Sequence, residues 1–249
     1  MTTILIKSII AAALGFLAGQ AAVYIFNKMP ASWLCEYGET PPQEITDPYV
    51  QRVKGWPWRW VYSGGLACLC IRLVFAPIHH LPGGFYGLPL EQAQLLGQCQ
   101  FALAGLVACW AMLILGLADL KYQVLPDQFV IMLALASMGF LPFHENLWQP
   151  LGGLALGGGV MLMVAAMGAA AFGKEVMGFG DVKLCAAMGL GLGLKGMIFV
   201  LAAASLLSGT YAAIGLARRK LHKDDMRPLG PWLTGAGIFY IFILWPMMV

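Results

Sequence analysis

The stretch KEVMGFGDVKLCAAMGLGLG, residues 174–193, sets one aspartate, Asp181, between a glycine-rich break and a long apolar run. If that run is a helix in lipid, the carboxylate is expensive. Insertion scales put its cost at about 2.5–3.5 kcal/mol at the centre of a bilayer helix and lower toward the boundary. An ionisable group kept at such a place points to function by default.

Outward from this stretch the rest of the chain has the same character. Of the 249 residues, 60% are hydrophobic and 11% charged, against roughly 25% charged in soluble domains. Mean hydropathy is +0.76. The apolar residues fall in blocks at approximately 4–27, 60–78, 95–117, 128–143, 151–172, 184–194, 197–217 and 231–249. Their lengths suit helices, and they lack the ten-residue alternation of an outer-membrane barrel strand. The expected fold class is all-α, a polytopic transmembrane helical bundle of about eight helices, in which 184–194 is short for a span. The first block has one lysine before it and no A-x-A site at its end, so it reads as a retained helix and not as a cleaved signal peptide.

Lysine and arginine set the expected orientation, because cytoplasmic loops carry their excess. With eight spans and the N-terminus outside, twelve of the fifteen basic residues fall in inner segments: Lys28, Arg52, Lys54, Arg59, Lys121, Lys174, Lys183, Arg218, Arg219, Lys220, Lys223 and Arg227. The outer segments HHLPGGFYGLPLEQAQ and HENLWQ hold none. This places Asp119, Asp127 and Asp181 at the cytoplasmic membrane boundary, in an inner-membrane, multi-pass protein. Ten of the twelve acidic residues share those inner segments, which are therefore almost neutral. No basic stripe interleaves with aromatics, so nucleic acid is not an expected partner, and the lipid bilayer is.

Metal chemistry finds little support. Cys35, Cys68, Cys70, Cys99, Cys109 and Cys185 make no C-x-x-C pair, and five of the six lie in apolar blocks, where a free cysteine behaves as a small hydrophobe. His79 and His80 are adjacent in one outer loop and His144 stands in another, which makes no ligand set. A formal G-x-G-x-x-G at Gly191, Gly193 and Gly196 lacks the flanking strand and βαβ context of a dinucleotide site, so its glycines are expected to serve close helix packing.

The carboxylates are where chemistry can reside. Asp119 ends one apolar block in GLADLKYQVLPDQF, Asp127 begins the next, and Asp181 ends the break before a third. Asp119-Leu-Lys121 and Asp181-Val-Lys183 share one local pattern; a lysine two residues on does not face its aspartate on a helix, so snorkelling to headgroups is its expected role. Pro126-Asp127 reads as a helix N-terminus with Asp127 as cap. Two aspartates brought together across a bundle cannot both ionise cheaply, so they share a proton: one takes a proton from water while the other gives one to a scissile carbonyl. Gly178 and Gly180 would let the chain beside Asp181 leave helical geometry and approach an extended peptide.

These residues resemble a known family. GFGDVKL is similar to the G-x-G-D-x-K-L signature of prepilin leader peptidases, the membrane aspartic peptidases that process type IV pilins and type II secretion pseudopilins. ADLKYQVLPD is similar to that family's first aspartate segment, and GFLAGQAAVYIFNKMP and MRPLGPWLTGAG to its first helix and its PFGPFLA-GA segment, in the same order. The resemblance implies a catalytic pair of Asp119 and Asp181, shaped by Gly178, Gly180, Lys183, Pro126 and Asp127, and hydrolysis of the bond between a basic leader and the hydrophobic helix of a pilin-like precursor. It also implies a division into 1–94, N-terminal helices with cytoplasmic loop 28–59, and 95–249, the peptidase membrane domain. Many members carry a four-cysteine zinc segment linked with S-adenosylmethionine-dependent N-methylation; loop 28–59 has only Cys35. Zinc, S-adenosylmethionine and methyltransferase activity are therefore not expected here. The rival reading is a transporter or secretion-assembly scaffold using the aspartates as ion or proton sites, although such sites cluster near the midplane.

Overall fold

The computed structural model describes residues 2–35, 46, 51–53, 56–75, 89–173, 178–218 and 228–245. Among these the chain is helical throughout: α1 Thr2–Lys28, a 3₁₀ turn Ala31–Trp33, α2 Trp58–Val74, α3 Leu90–Tyr122, α4 Asp127–Met138, a second 3₁₀ turn Leu141–Phe143, α5 Trp148–Phe172, α6 Phe179–Ala217, and α7 Gly230–Phe239 running into a π turn Tyr240–Leu244. Four of them, α1, α3, α5 and α6, are long and apolar enough to cross a membrane. Large apolar side chains such as Leu151, Leu162, Met163 and Met167 lie exposed along α5, which is tolerable where lipid, not water, covers them. The expected helical membrane bundle is what the chain forms.

Several boundaries move from those read in the sequence. α3 runs from Leu90 through Tyr122, so Asp119 lies inside its last turns and not at its end. α4 stops at Met138, and the remainder of that apolar block is the 3₁₀ turn. α6 starts at Phe179, so Asp181 lies in its first turn and is no longer part of the preceding break.

The blocks at 184–194 and 197–217 are two arms of α6, broken at Gly193, whose φ of 71° and ψ of −179° are open chiefly to glycine. The arms run in opposite senses along α7. In the first, Met188 reaches Gly237; in the second, Phe199 meets Tyr240 and Tyr211 meets Trp232, so a rising residue number in α6 pairs with a falling one in α7. Fourteen residues, 179–192, make the first arm about 21 Å long at 1.5 Å per residue, short of the roughly 30 Å hydrocarbon core.

The helices approach closely where side chains are missing. A Cβ on Gly153 of α5 would lie 2.2 Å from the carbonyl oxygen of Gly189 in α6, and one on Gly157 would lie 2.3 Å from that of Cys185. Without a hydrophobic driving force between helices in lipid, such contact is what holds them together. Gly191 and Gly196 of the formal nucleotide motif do the same work against Ser137 and Tyr240. At the bundle end where α5 begins, Phe101, Phe140, Phe143 and Trp245 form an aromatic cluster, with Phe101 5.1–5.5 Å from the other three rings. That end is closed; the aspartates lie at the other.

Candidate active site

Each aspartate is brought to the site by a helix end. α3 terminates at Gln123, which takes the left-handed conformation at φ 54° and donates its N–H to the Asp119 carbonyl at 3.0 Å. The chain then turns through Leu125 to Pro126, the N-cap of α4. This connector lies on the first turn of α6: a Cβ on Gly180 would come within 3.1 Å of the Leu125 Cβ. Gly180 is therefore helical and acts by leaving room for Leu125, a correction to its expected role as a break. The break belongs to Gly178, the extended N-cap of α6 at φ −69° and ψ 142°, which has open space on its side-chain side.

The two carboxylates lie at one end of the bundle, although 62 positions separate them, because the first turn of α6 packs on the connector that follows α3. They are near enough for the charge on Asp119 to act on Asp181. Asp119 is buried, with 6% of its surface exposed, and its Oδ2 accepts a hydrogen bond from the Gly230 N–H of α7 at 2.8 Å. Asp181 is half-buried, and its Oδ1 is sealed from solvent without a hydrogen-bond partner among the described residues. One carboxylate is anchored and the other is left with an unmet acceptor.

The residues around the pair depart from expectation in two places. Asp127 opens α4 but makes no side-chain cap; both its oxygens accept from Lys183 Nζ, at 2.9 and 3.0 Å. The lysines also find protein partners. Lys183 bridges α6 to α4 and lies 5.4 Å from the Phe179 ring centre, while Lys121 donates to the Arg52 carbonyl oxygen. Arg52 is itself buried and donates to the Phe26 and Met29 carbonyls at the end of α1. Segment 51–53 is thereby fastened over the last turns of α1 and α3, with Val53 N–H donating to Asn27 Oδ1 at 2.8 Å.

Among the described residues the cysteines and histidines provide no cluster. Cys35 donates to the Ala31 carbonyl at 3.3 Å, and Cys70, Cys109 and Cys185 are buried as free thiols. A four-thiolate zinc does not fit segment 28–59, which supplies one thiol, Cys35. The loop acids Glu36, Glu39, Glu44 and Asp47, and the pair His79 and His80, lie outside the described residues. His144 makes a hydrogen bond through Nε2 with the Gly191 carbonyl at 2.9 Å, meeting a backbone acceptor that the break at Gly193 frees. Burial holds its pKa below the usual imidazole range, with the Gly191 contact working the other way.

Two participants escaped the sequence: Leu125, an ordinary apolar residue in a connector, and Gly230. The only local signal for Gly230 is the Gly-Pro pair that opens α7, and it gives no hint that the amide meets a residue 111 positions away.

Comparison with known proteins agrees with the motif reading. Residues 106–213, which include both aspartates, match the type IV leader peptidase family. Three curated proteins bearing the name prepilin leader peptidase/N-methyltransferase are similar to more than half of the chain. The one from Aeromonas hydrophila is 36% identical over 159 residues, covering 57% of this chain and 49% of its own. That from Xanthomonas campestris pv. campestris is 33% identical over 140 residues, covering 55% and 48%, and that from Pseudomonas aeruginosa is 32% identical over 146 residues, covering 57% and 49%. The chain thus spans about half the length of the curated relatives it matches. No solved structure matches it. The membrane segment that carries the two aspartates is related to the type IV leader peptidases.

Proposed function

We propose that this relative of the type IV leader peptidases is an aspartic endopeptidase of the cytoplasmic membrane, with Asp119 and Asp181 as its catalytic pair. The observation that carries the reading is that α6 packs its first turn, with Asp181, on the connector after α3, so that carboxylates from two distant helices lie at one end of an otherwise apolar bundle. Such a pair holds one proton between two acids. The ionised member takes a proton from a water, whose oxygen attacks the scissile carbonyl carbon. The protonated member gives its proton to the carbonyl oxygen. Collapse of the tetrahedral diol breaks the C–N bond, and the amine leaves with a proton returned from the pair.

The substrate class follows from kinship and topology together. The curated relatives are named for prepilin leaders, and a pilin-like precursor joins a short basic leader to an apolar helix. In the proposed topology the leader stays in the cytoplasm. Arg52, Lys121 and Lys183 gather at the aspartate end of the bundle, as the positive-inside bias requires of a cytoplasmic face. Exposed Gly178, extended and without a side chain, offers a place beside Asp181 where a peptide backbone can approach.

This chemistry needs no bound cofactor, because the acid and the base are both side chains of the chain. We propose peptidase action without methyl transfer, since a lone Cys35 stands where a tetracysteine zinc segment would be. The test is to reconstitute the full chain in lipid with a pilin-like precursor and follow leader removal by mass, alongside Asp119→Asn and Asp181→Asn. Each substitution is expected to abolish cleavage while the protein remains folded in detergent. Cleavage that survives both would overturn the peptidase reading and favour an ion pathway or scaffold.

A further inference from the structure

We propose that Gly230 is the positioning residue for Asp119: its backbone N–H fixes Oδ2, and its missing side chain leaves the space that the carboxylate occupies. The proposal rests on Asp119 and Asp181 being the catalytic pair. Three observations meet at this contact. The Gly230 N–H donates to Oδ2 at 2.8 Å in a buried setting. A Cβ built on Gly230 would lie 2.6 Å from Oδ2, 3.0 Å from Cγ and 3.1 Å from the Cβ of Asp119, so the whole side chain is packed against this one backbone position. Gly230 is also the first residue of α7: Pro231 has no N–H and the Trp232 and Leu233 N–H groups donate to the Leu229 carbonyl, so the Gly230 N–H is the first-turn amide left for the carboxylate.

The consequence is an asymmetric pair. With Oδ2 held by a helix N-terminus, which favours negative charge, Asp119 presents Oδ1 in one orientation toward the water that must lie between the carboxylates. Among the described residues the Asp181 Oδ1 has no such anchor. An anchored base beside an unanchored partner divides the roles, and the division is written into α7, which itself holds no acid.

Gly116 supplies the contrast. It lies one turn before Asp119 on α3 and packs on the same helix, where a Cβ would come 2.5 Å from Thr234 Oγ1. Gly116→Ala therefore presses on Thr234, whose hydroxyl donates to the Gly230 carbonyl at 2.9 Å, and disturbs the α3–α7 contact from the side away from the Gly230 N–H, with no atom of the carboxylate within 4 Å among its nearest neighbours. Gly230→Ala displaces the carboxylate itself.

The experiment measures kcat and KM for leader removal in Gly230→Ala, Gly116→Ala, Asp119→Asn and Asp181→Asn, together with thermal unfolding of Gly230→Ala in the native and Asp119→Ala backgrounds. Gly230→Ala is expected to lower kcat about 100-fold, the scale of an ångström displacement of a catalytic group, with KM retained. Its unfolding temperature is expected to fall in the native background and to recover in Asp119→Ala, where the atoms it strikes at 2.6 and 3.0 Å are gone. Normal cleavage by Gly230→Ala while both asparagine variants are dead would overturn the positioning role and leave the proposed function intact. An equal kcat loss in Gly116→Ala would reassign the effect to helix packing and overturn it too. Cleavage by both asparagine variants would remove the premise and the inference together. If Gly230→Ala does not fold, folding restored by Asp119→Ala supports the contact and failure in both backgrounds refutes it.

Discussion

Replacing Gly189 by alanine tests how the bundle places Asp181. Gly189 lies in the first arm of α6, about two turns beyond Asp181, and its missing side chain faces α5. A Cβ there would come 2.1 Å from the Gly153 carbonyl oxygen, 2.5 Å from its carbon and 2.9 Å from the Leu154 nitrogen. All three are backbone atoms, so no side chain can swing aside. Ordinary contact begins near 3.4 Å, and the helices must part locally by about 1.3 Å in an interior packed to native density. Overpacking of this kind costs about 1–3 kcal/mol, and the gain of alanine over glycine within a helix returns roughly 0.5–1 kcal/mol. A net loss of about 1–2 kcal/mol corresponds to a fall of roughly 2–8 °C in unfolding temperature for a chain of this size. Because the displaced arm carries Asp181, leader cleavage is expected to drop with it. Gly159→Ala is the control, on the facing helix α5 with nothing within 4 Å of its built Cβ. If Gly189→Ala unfolds no lower than Gly159→Ala and cleaves normally, close backbone contact is not what positions this arm.

Three further outcomes follow from the same geometry. The ion pair of Lys183 with Asp127 leaves their side chains 40% and 59% exposed, so Asp127→Asn is expected to change stability by about 0.5 kcal/mol or less, read by thermal unfolding. His144 should make stability depend on pH. Burial lowers its pKa below 6.5, so the unfolded chain takes up the proton first, and stability present above pH 6.5 declines as the pH falls through that value; His144→Gln should flatten this decline in unfolding scans from pH 7.5 to 5 run in parallel. Zinc chelation, and separately Cys35→Ser, should leave the rate of leader removal unchanged, and a loss restored by added zinc would refute the cofactor-free mechanism.

The fold and the pair were legible in the sequence because each leaves a local trace. Apolar blocks of spanning length demand helices, and a carboxylate at the edge of one is costly enough to be noticed, so both Asp119 and Asp181 stood out before any geometry was known. The two blocks at 184–194 and 197–217 proved to be the opposed arms of α6, with the intervening glycine at the break. What stayed illegible depends on pairing between distant segments. Asp127 has the sequence of an N-cap, yet its oxygens are taken by Lys183, 56 positions away. Lys121 has the sequence of a snorkelling lysine, yet it meets the Arg52 carbonyl. Local propensity cannot weigh a partner that only the folded bundle supplies.

The two ends of the bundle obey different rules, and that contrast argues for where chemistry occurs. At the far end the aromatic cluster fills its space, the Gly191 carbonyl freed by the break at Gly193 is met by His144, and a turn earlier the Ala187 carbonyl accepts from the Ser137 hydroxyl. At the near end Asp181 keeps a sealed oxygen without a donor. An unsatisfied buried acceptor costs about 1–3 kcal/mol, and native structures seldom carry one without a reason. Here the stable part of the fold spends its contacts on fixing Asp119 through α7 and Asp181 through α5 and Leu125, and stops short of satisfying the second carboxylate. A water or a peptide N–H reaching this oxygen would supply the donor, and on the proposed reading the substrate comes from the side of exposed Gly178, beside helices that meet backbone to backbone.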